Sequence, residues 1–183
     1  MSQNFQLLNE LALHCKANSN DCLNHFKKIV DILEKPIYNF IYKRVFHAQD
    51  AEDITQETFL LAYRKIEQYD EAYSFSTWVY TIANRQALNH IKKNKIVFSD
   101  SIPEQIDEGS IDSDQTDIWD AAKTLPDELY SVLLLKYSDE LSIREISQVL
   151  SKSESNIKVL LHRARTMLSK KYKKHKIKIS QVG

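Results

Sequence analysis

Apolar residues recur along this chain with the three- and four-residue spacing of amphipathic helices, in two blocks with a gap between them. The first block ends near residue 97 and the second begins near residue 118. Residues 98–117, between the blocks, are rich in Ser and Asp and contain a Pro and a Gly. A segment of that composition buries too little apolar surface to offset the entropy of ordering, so we expect it to be a linker.

The pattern therefore predicts an all-α chain of two small helical domains, residues 1–97 and 118–183, joined by a flexible acidic linker at residues 98–117. Only 2 Gly and 3 Pro occur in the 183 residues, which argues against a loop-rich or all-β protein. The predicted helices cover residues 22–46, 50–68 and 76–93 in the first domain and residues 127–138, 143–150 and 154–172 in the second.

The formal net charge is zero, but the charges are spread unevenly. Residues 98–117 hold 7 acidic residues and no Lys or Arg, whereas residues 152–178 hold 10 Lys or Arg and a single acid, Glu154. A basic block of this kind fits a polyanionic partner such as nucleic acid. The alternative is a solvated helix end with a frayed tail.

The second domain carries the pattern of a helix-turn-helix. Ser142 and Glu145 have the spacing of a capping box, which starts a short helix before a turn at residues 151–153. The helix after the turn has one apolar stripe and an opposite face that carries hydrogen-bonding, basic and small apolar groups. Such a face can contact base edges and phosphates in a major groove, and its members are Ser155, Asn156, Lys158, Val159, His162, Arg163 and Thr166.

In the first domain, Leu60 lies outside the apolar arc of its helix and among polar residues. Asp53, Gln56 and Glu57 share that side of the helix. An apolar residue ringed by acids indicates a docking surface for a basic protein partner. A surface leucine of no special role is the alternative.

Five aromatic residues lie within residues 69–80, and amide and basic residues follow them. Rings that stack on bases, beside cations that hold phosphates, suit single-stranded nucleic acid. Trp78, Val79 and Ala83 share one helix face and are expected in the core, which makes Tyr69, Tyr73 and Phe75 the stacking candidates. The polar residues that we assign to the same nucleic-acid site are Asn84, Arg85, Asn89, Lys92 and Lys93.

Catalytic and metal chemistry is not expected. Cys15 and Cys22 are too few for a disulfide framework, and with His14 and His25 they form at most a weak metal pattern, so we favour two neutral thiols and no metal or cofactor. No phosphate-cradling Gly loop and no nucleophile–base pair stands out. The sequence has no apolar run long enough to span a bilayer and no basic residue before the first apolar positions, which predicts a cytoplasmic protein.

Four segments together resemble the sigma-70 family of RNA polymerase sigma factors, in its small extracytoplasmic-function (ECF) branch. Residues 50–59 (DAEDITQETF) are similar to the polymerase-binding helix, and residues 75–83 (FSTWVYTIA) to the segment that handles the −10 promoter element. Leu125-Pro126 with residues 133–137 (LLLKY) resembles the start of the −35-reading domain. Residues 157–165 (IKVLLHRAR) are similar to its recognition helix.

The resemblance spans about residues 20–175 and implies a non-enzymatic sigma factor that directs promoter-specific initiation. It implies that Asp53, Gln56, Glu57 and Leu60, to which we add Tyr63, meet core RNA polymerase. The 69–75 loop would capture an unstacked −10 base, the linker would thread polymerase channels, and the second helix of the helix-turn-helix would read the −35 duplex. The branch often has an anti-sigma factor as a further partner, and we expect a monomer when the protein is free.

Three positions depart from the family pattern. Asn84-Arg85 stands where the family often has a basic residue followed by Asn, and Ser151 and Ser155 stand where Gly is frequent. Two rival functions remain at this stage: a self-sufficient helix-turn-helix repressor or activator, for which no dimer helix is evident, and a helical adaptor that binds only protein.

Overall fold

The computed structural model describes residues 2–17, 21–97 and 113–179, and the regular secondary structure in these residues is helical throughout. Apart from residues 148–150, the described residues up to 97 form one compact unit and those from 113 form a second. The predicted fold class of two small helical domains is confirmed. None of the described helices is long and apolar enough to cross a bilayer.

The first unit is a bundle of four helices with one short 3₁₀ turn. Its core is filled by the apolar stripe of the second helix, including Ile29, Ile37, Phe40 and Ile41, which are fully buried. The elements are α1 (Ser2–Lys16), α2 (Cys22–Val45), α3 (Ala48–Arg64), the 3₁₀ turn (Ile66–Gln68) and α4 (Phe75–Val97).

Local signals set the turn between α2 and α3. Phe46 ends α2 in the left-handed region, with a φ of 55°, and its N–H donates to the Tyr42 carbonyl. His47 then caps α3, because its Nδ1 accepts from the Asp50 N–H at 3.3 Å. This two-residue turn fixes where α3 begins and therefore which α3 side chains face solvent.

The second unit contains four helices and a π-helical turn. Ala121, Leu129, Leu133, Ile146 and Leu161, from successive elements, are buried in its core. The elements are α5 (Ser113–Lys123), α6 (Asp127–Leu133), the π turn (Leu134–Ser138), α7 (Ile143–Val149) and α8 (Glu154–Ile179).

The structure corrects several predicted bounds. The predicted helix at residues 50–68 ends at Arg64, and the helix predicted at residues 127–138 gives way to the π turn after Leu133. Helices α1 and α5 were not predicted, and α5 begins at Ser113, inside the predicted linker. Residues 98–112 of that linker lie outside the described residues, so its flexibility and the domain limits stay predictions.

Candidate functional site

The turn between α7 and α8 is built by caps that the sequence encodes locally. The Ser142 N–H donates to Glu145 Oε2 at 2.8 Å and the Glu145 N–H donates to Ser142 Oγ at 3.2 Å, which confirms the predicted capping box. At the other end of α7, Ser151 is left-handed (φ 53°) and the Lys152 N–H donates to the Ser147 carbonyl at 2.9 Å. This is a Schellman turn, which explains why Gly suits position 151 in the family pattern.

Helix α8 begins at the next cap and buries a single stripe. Ser153 Oγ accepts from the Asn156 N–H at 3.2 Å, and Ile157, Leu160, Leu161 and Ala164 are buried. The stripe against the core leaves the opposite side of α8 exposed. The structure therefore contains the predicted helix-turn-helix.

The exposed side of α8 is here called the recognition face. Its central apolar residue, Val159, is 54% exposed, and within α8 the only acid is Glu154, at the first position. In the described part of the chain, neither Lys158 nor Arg163 forms an ion pair within the protein. The name covers six exposed residues: Ser155, Asn156, Lys158, Val159, His162 and Arg163. Thr166, which the sequence also places on this side of the helix, is exposed as well.

A second face lies on α3 and is here called the acidic α3 face. Leu60 is 49% exposed and Tyr63 is exposed beside it, with its ring packed edge-on against Phe26 at 5.0 Å. On the opposite side of the helix, the buried hydroxyls of Thr55 and Thr58 bond to backbone carbonyls within α3. The acidic α3 face comprises Asp53, Gln56, Glu57, Leu60 and Tyr63, all exposed or half-buried.

The aromatic loop differs from the prediction. Tyr69 is 2% exposed and Phe75 is fully buried, and their rings pack against each other at 5.1 Å and against Trp78 at 5.7 and 5.5 Å. Burial, followed by the nearby Glu71 and Asp70 carboxylates, raises the pKa of Tyr69 to about 12. In this conformation neither ring is available to stack on a base, so the two assignments as stacking residues are wrong here.

Contacts with α1 explain why the loop closes over these rings. Asn9 Oδ1 accepts from the Phe75 N–H at 2.8 Å. The Tyr69 hydroxyl donates to the Tyr73 carbonyl at 2.8 Å and lies 3.3 Å from the same Asn9 oxygen. Lys16 Nζ donates to the Tyr69 carbonyl at 2.9 Å. Tyr73 is the exception among the three predicted stacking residues, since it remains 44% exposed.

Asn84 is also misassigned as a surface DNA contact. It is buried, and its side-chain oxygen accepts from Arg44 Nη1 at 2.9 Å, inside the first unit. The guanidinium of Arg44, also buried, lies over the Phe40 ring at 5.6 Å. Asn84 therefore stabilises a buried cation. The sequence did not indicate this role, because Asn84 is followed by other polar residues that are exposed.

The remaining predicted residues of α4 form one exposed side, here called the basic α4 face. Arg85, Asn89, Lys92 and Lys93 follow the i, i+4, i+7, i+8 spacing of a single helix face and are all exposed. The structure thus brings together four of the five polar residues predicted for the −10 site.

The candidate metal pattern around the cysteines is not supported by the described residues. No group of three or more His, Cys, Asp or Glu side chains in residues 2–17, 21–97 and 113–179 has a geometry suited to a metal ion. Instead, the His14 and His25 rings stack at 4.9 Å, and Cys15 Sγ donates to the Cys22 carbonyl.

Comparison with known proteins assigns the two units separately. The family model of Sigma-70 region 2 matches residues 29–96 and that of Sigma-70 region 4 matches residues 115–168. The chain is 34% identical to the ECF RNA polymerase sigma factor SigW of Bacillus subtilis, over 79% of this chain and 87% of SigW. The chain belongs to the ECF branch of the sigma-70 family.

Two further comparisons agree. The sigma factor YlaC of Bacillus subtilis is 30% identical over 81% of this chain and 94% of its own. Among solved structures, the sigma factor RpoE of Bartonella quintana, in complex with the anti-sigma factor NepR, has a TM-score of 0.69 at 20% identity, covering 81% of this chain and 96% of RpoE. That likeness supports the fold.

Membership in the family gives the general function of this ECF factor: it binds RNA polymerase and supports promoter-specific initiation of transcription. Its relatives are sigma factors, which are not enzymes. Helix α1, which includes Asn9, precedes the residues that the region 2 model matches. The one sequence signal for α1 was its helical apolar spacing at Leu8, Leu11, Ala12 and Cys15, all of which are buried.

Proposed function

We propose that this ECF factor reads the −35 element as duplex DNA with its recognition face, holds the −10 element with its basic α4 face and Tyr73, and docks on core polymerase through its acidic α3 face. The observation that carries the proposal is the recognition face: six exposed side chains on the second helix of a capped helix-turn-helix, where the only acid is Glu154 at the first position.

The chemistry of the recognition face favours direct contact with bases. Arg163 can donate two parallel hydrogen bonds to a guanine, Asn156 has the donor and acceptor that pair with an adenine, and Val159 can contact a thymine methyl. Lys158 supplies a cation for a backbone phosphate. Because no intramolecular ion pair holds Lys158 or Arg163 in the described residues, neither side chain has to break one to reach DNA.

The −10 proposal rests on the basic α4 face rather than on the aromatic loop as a whole. Arg85, Lys92 and Lys93 supply cations along one side of α4, and Tyr73 supplies an exposed ring. A cationic groove with a stacking ring suits a single strand, whose bases are free to stack. Extruding one base costs a few kcal/mol, which stacking offsets in part.

Core polymerase is the partner that the acidic α3 face fits. The acids at the rim of this face complement a basic partner surface, and the half-exposed leucine and the tyrosine provide an apolar contact at the centre. Polymerase holds both DNA-binding units near one promoter, so each raises the effective concentration of the other. In this proposal the chain catalyses no reaction, because polymerase forms the bonds of the transcript.

An anti-sigma factor is a further proposed partner. The structural relative RpoE is in complex with the anti-sigma factor NepR. A sigma factor with exposed DNA- and polymerase-binding faces is suited to control by a protein that covers them.

The recognition face is tested by comparing Arg163→Ala with Lys170→Ala, two exposed cations on α8. Transcription with core polymerase is measured on promoters that carry every single substitution in the −35 element. We expect Arg163→Ala to lose about 1–3 kcal/mol of discrimination at one base pair, because a base contact is lost. Lys170→Ala should lower transcription by a similar factor on all promoters.

Two results would contradict the proposal. Unchanged base preference in Arg163→Ala would remove the residue from the reading surface. A sequence-specific shift of duplex DNA at nanomolar protein without polymerase would instead favour the self-sufficient repressor or activator.

A further inference from the structure

Two cysteines in the first unit have no part in promoter recognition. Cys15 lies in the last turn of α1 and Cys22 is the first residue of α2, and these two helices pack against each other. Cys15 Sγ donates to the Cys22 carbonyl at 3.1 Å. Both are free thiols, Cys15 buried and Cys22 half-buried.

The two thiols influence each other and differ in access. Burial, followed by a hydrogen bond and Coulomb repulsion from the Cys22 side chain, raises the pKa of Cys15 to about 12. Cys15 is therefore protonated near neutral pH, and it is shielded from solvent. Because oxidants react first with accessible thiols, and Cys15 is both buried and protonated, Cys22 is the first target of the pair.

We propose that Cys15 and Cys22 form a reversible disulfide site, oxidised by a peroxide in the folded protein. The Cys22 sulfur attacks one peroxide oxygen, an S–O bond forms, the O–O bond breaks, and the thiol proton leaves with the other oxygen as water. The Cys15 sulfur then displaces the hydroxyl group from the Cys22 sulfenic acid. An S–S bond forms, and the Cys15 proton leaves with that hydroxyl as a second water.

The electrons balance, since two thiols lose two electrons and one peroxide is reduced to two waters. A dithiol reductant reverses the reaction. The disulfide would tie the end of α1 to the start of α2. It would lie beside Tyr63, whose hydroxyl pKa is raised, with the neighbouring Cys22 side chain as the largest cause. The site concerns the chain's own thiols, so it is tested on the protein alone and does not depend on the proposed promoter contacts.

The test treats the full, reduced chain with hydrogen peroxide, alkylates the remaining thiols after denaturation, and measures the intact mass. We expect a monomer that has lost two hydrogens, has no alkylated cysteine, and recovers both thiols with dithiothreitol. Cys15 and Cys22 are the only cysteines, so the intramolecular pairing is unique. The Tm of the oxidised form should rise by roughly 5–10 °C, because the short closed loop constrains the unfolded chain.

Two serine variants, each shown by circular dichroism to keep the helical fold, test the order of the steps. In Cys15→Ser, peroxide should add one oxygen to Cys22, in a form that dimedone traps. In Cys22→Ser, Cys15 should remain a free thiol at the same peroxide dose. The proposal is overturned if peptide mapping of the wild-type protein finds oxygen atoms on either cysteine, covalent dimers or two unreacted thiols instead of the loss of two hydrogens, or if Cys22→Ser is oxidised at cysteine as fast as wild type; oxygen on the exposed Met167 is scored separately.

Discussion

Asn84 and Asn89 lie five residues apart on α4 and have opposite surroundings. Asn84 is buried and accepts a hydrogen bond from the buried Arg44 guanidinium at 2.9 Å, while Asn89 is exposed on the basic α4 face. The same amide side chain therefore serves the fold at one position and is free for a ligand at the other. Substitution by alanine separates the two roles.

We expect Asn84→Ala to lower the free energy of unfolding by about 1.5–3 kcal/mol, because it removes a hydrogen bond to a buried charged group. Asn89→Ala, the matched control, should change the free energy of unfolding by less than about 0.5 kcal/mol and should weaken opening of duplex promoters in vitro. Urea denaturation gives the first quantity and permanganate footprinting the second. Equal stability of the two variants would contradict the buried role of Asn84.

At the scale of single residues, the sequence shows which side chains could bind nucleic acid, but it shows less well which of them are exposed. The recognition face could be predicted, because α8 has a single apolar stripe and its opposite side follows from helix geometry. The burial of Tyr69 and Phe75 could not be predicted in this way, because both residues contact Asn9, which is 60 and 66 positions away in the chain. A loop without a repeating pattern gives no signal for which ring turns inward.

At the scale of elements, α3 has two clearly different sides, one buried in the core and one exposed. Its inner side is buried, and Thr55 and Thr58 satisfy their hydroxyls within the helix. Its outer side presents Leu60 among acids. An exposed residue at the centre of a docking surface contributes to binding and little to stability, so a charge placed there affects the two properties differently.

We expect Leu60→Asp to weaken binding to core polymerase by at least about tenfold, because it places a charge in the apolar centre of the contact. The Tm should stay close to that of wild type. Leu7→Asp is the control, since Leu7 on α1 is 43% exposed, close to the 49% of Leu60. Affinity is measured by titrating labelled protein with core polymerase. Equal loss in both variants, or loss in neither, would remove the acidic α3 face from the account.

The helices that could be predicted were those whose ends are marked by a local sequence signal, such as a capping box. The capping box at Ser142 and Glu145 predicts where α7 begins, and the structure contains both of its hydrogen bonds. Helix α5 was missed because it begins among acidic and polar residues of the predicted linker. Its stability comes from packing in the second unit, where Ala121 and Ala122 are buried, and tertiary packing of this kind has little local sequence signature.

At the scale of the whole molecule, the proposed function depends on two units that carry different surfaces. The first unit has the acidic α3 face and the basic α4 face, and the second has the recognition face. Each surface is small, and the total formal charge of zero gives no long-range attraction to DNA for the chain as a whole. Specific initiation is therefore expected only when polymerase holds both units on one promoter.

The most direct measurement is run-off transcription from a promoter library by core polymerase, with and without this protein. We expect new transcripts that require the protein and that share two sequence elements, one at −35 and one at −10. Absence of such transcripts, together with no binding to core polymerase, would contradict it.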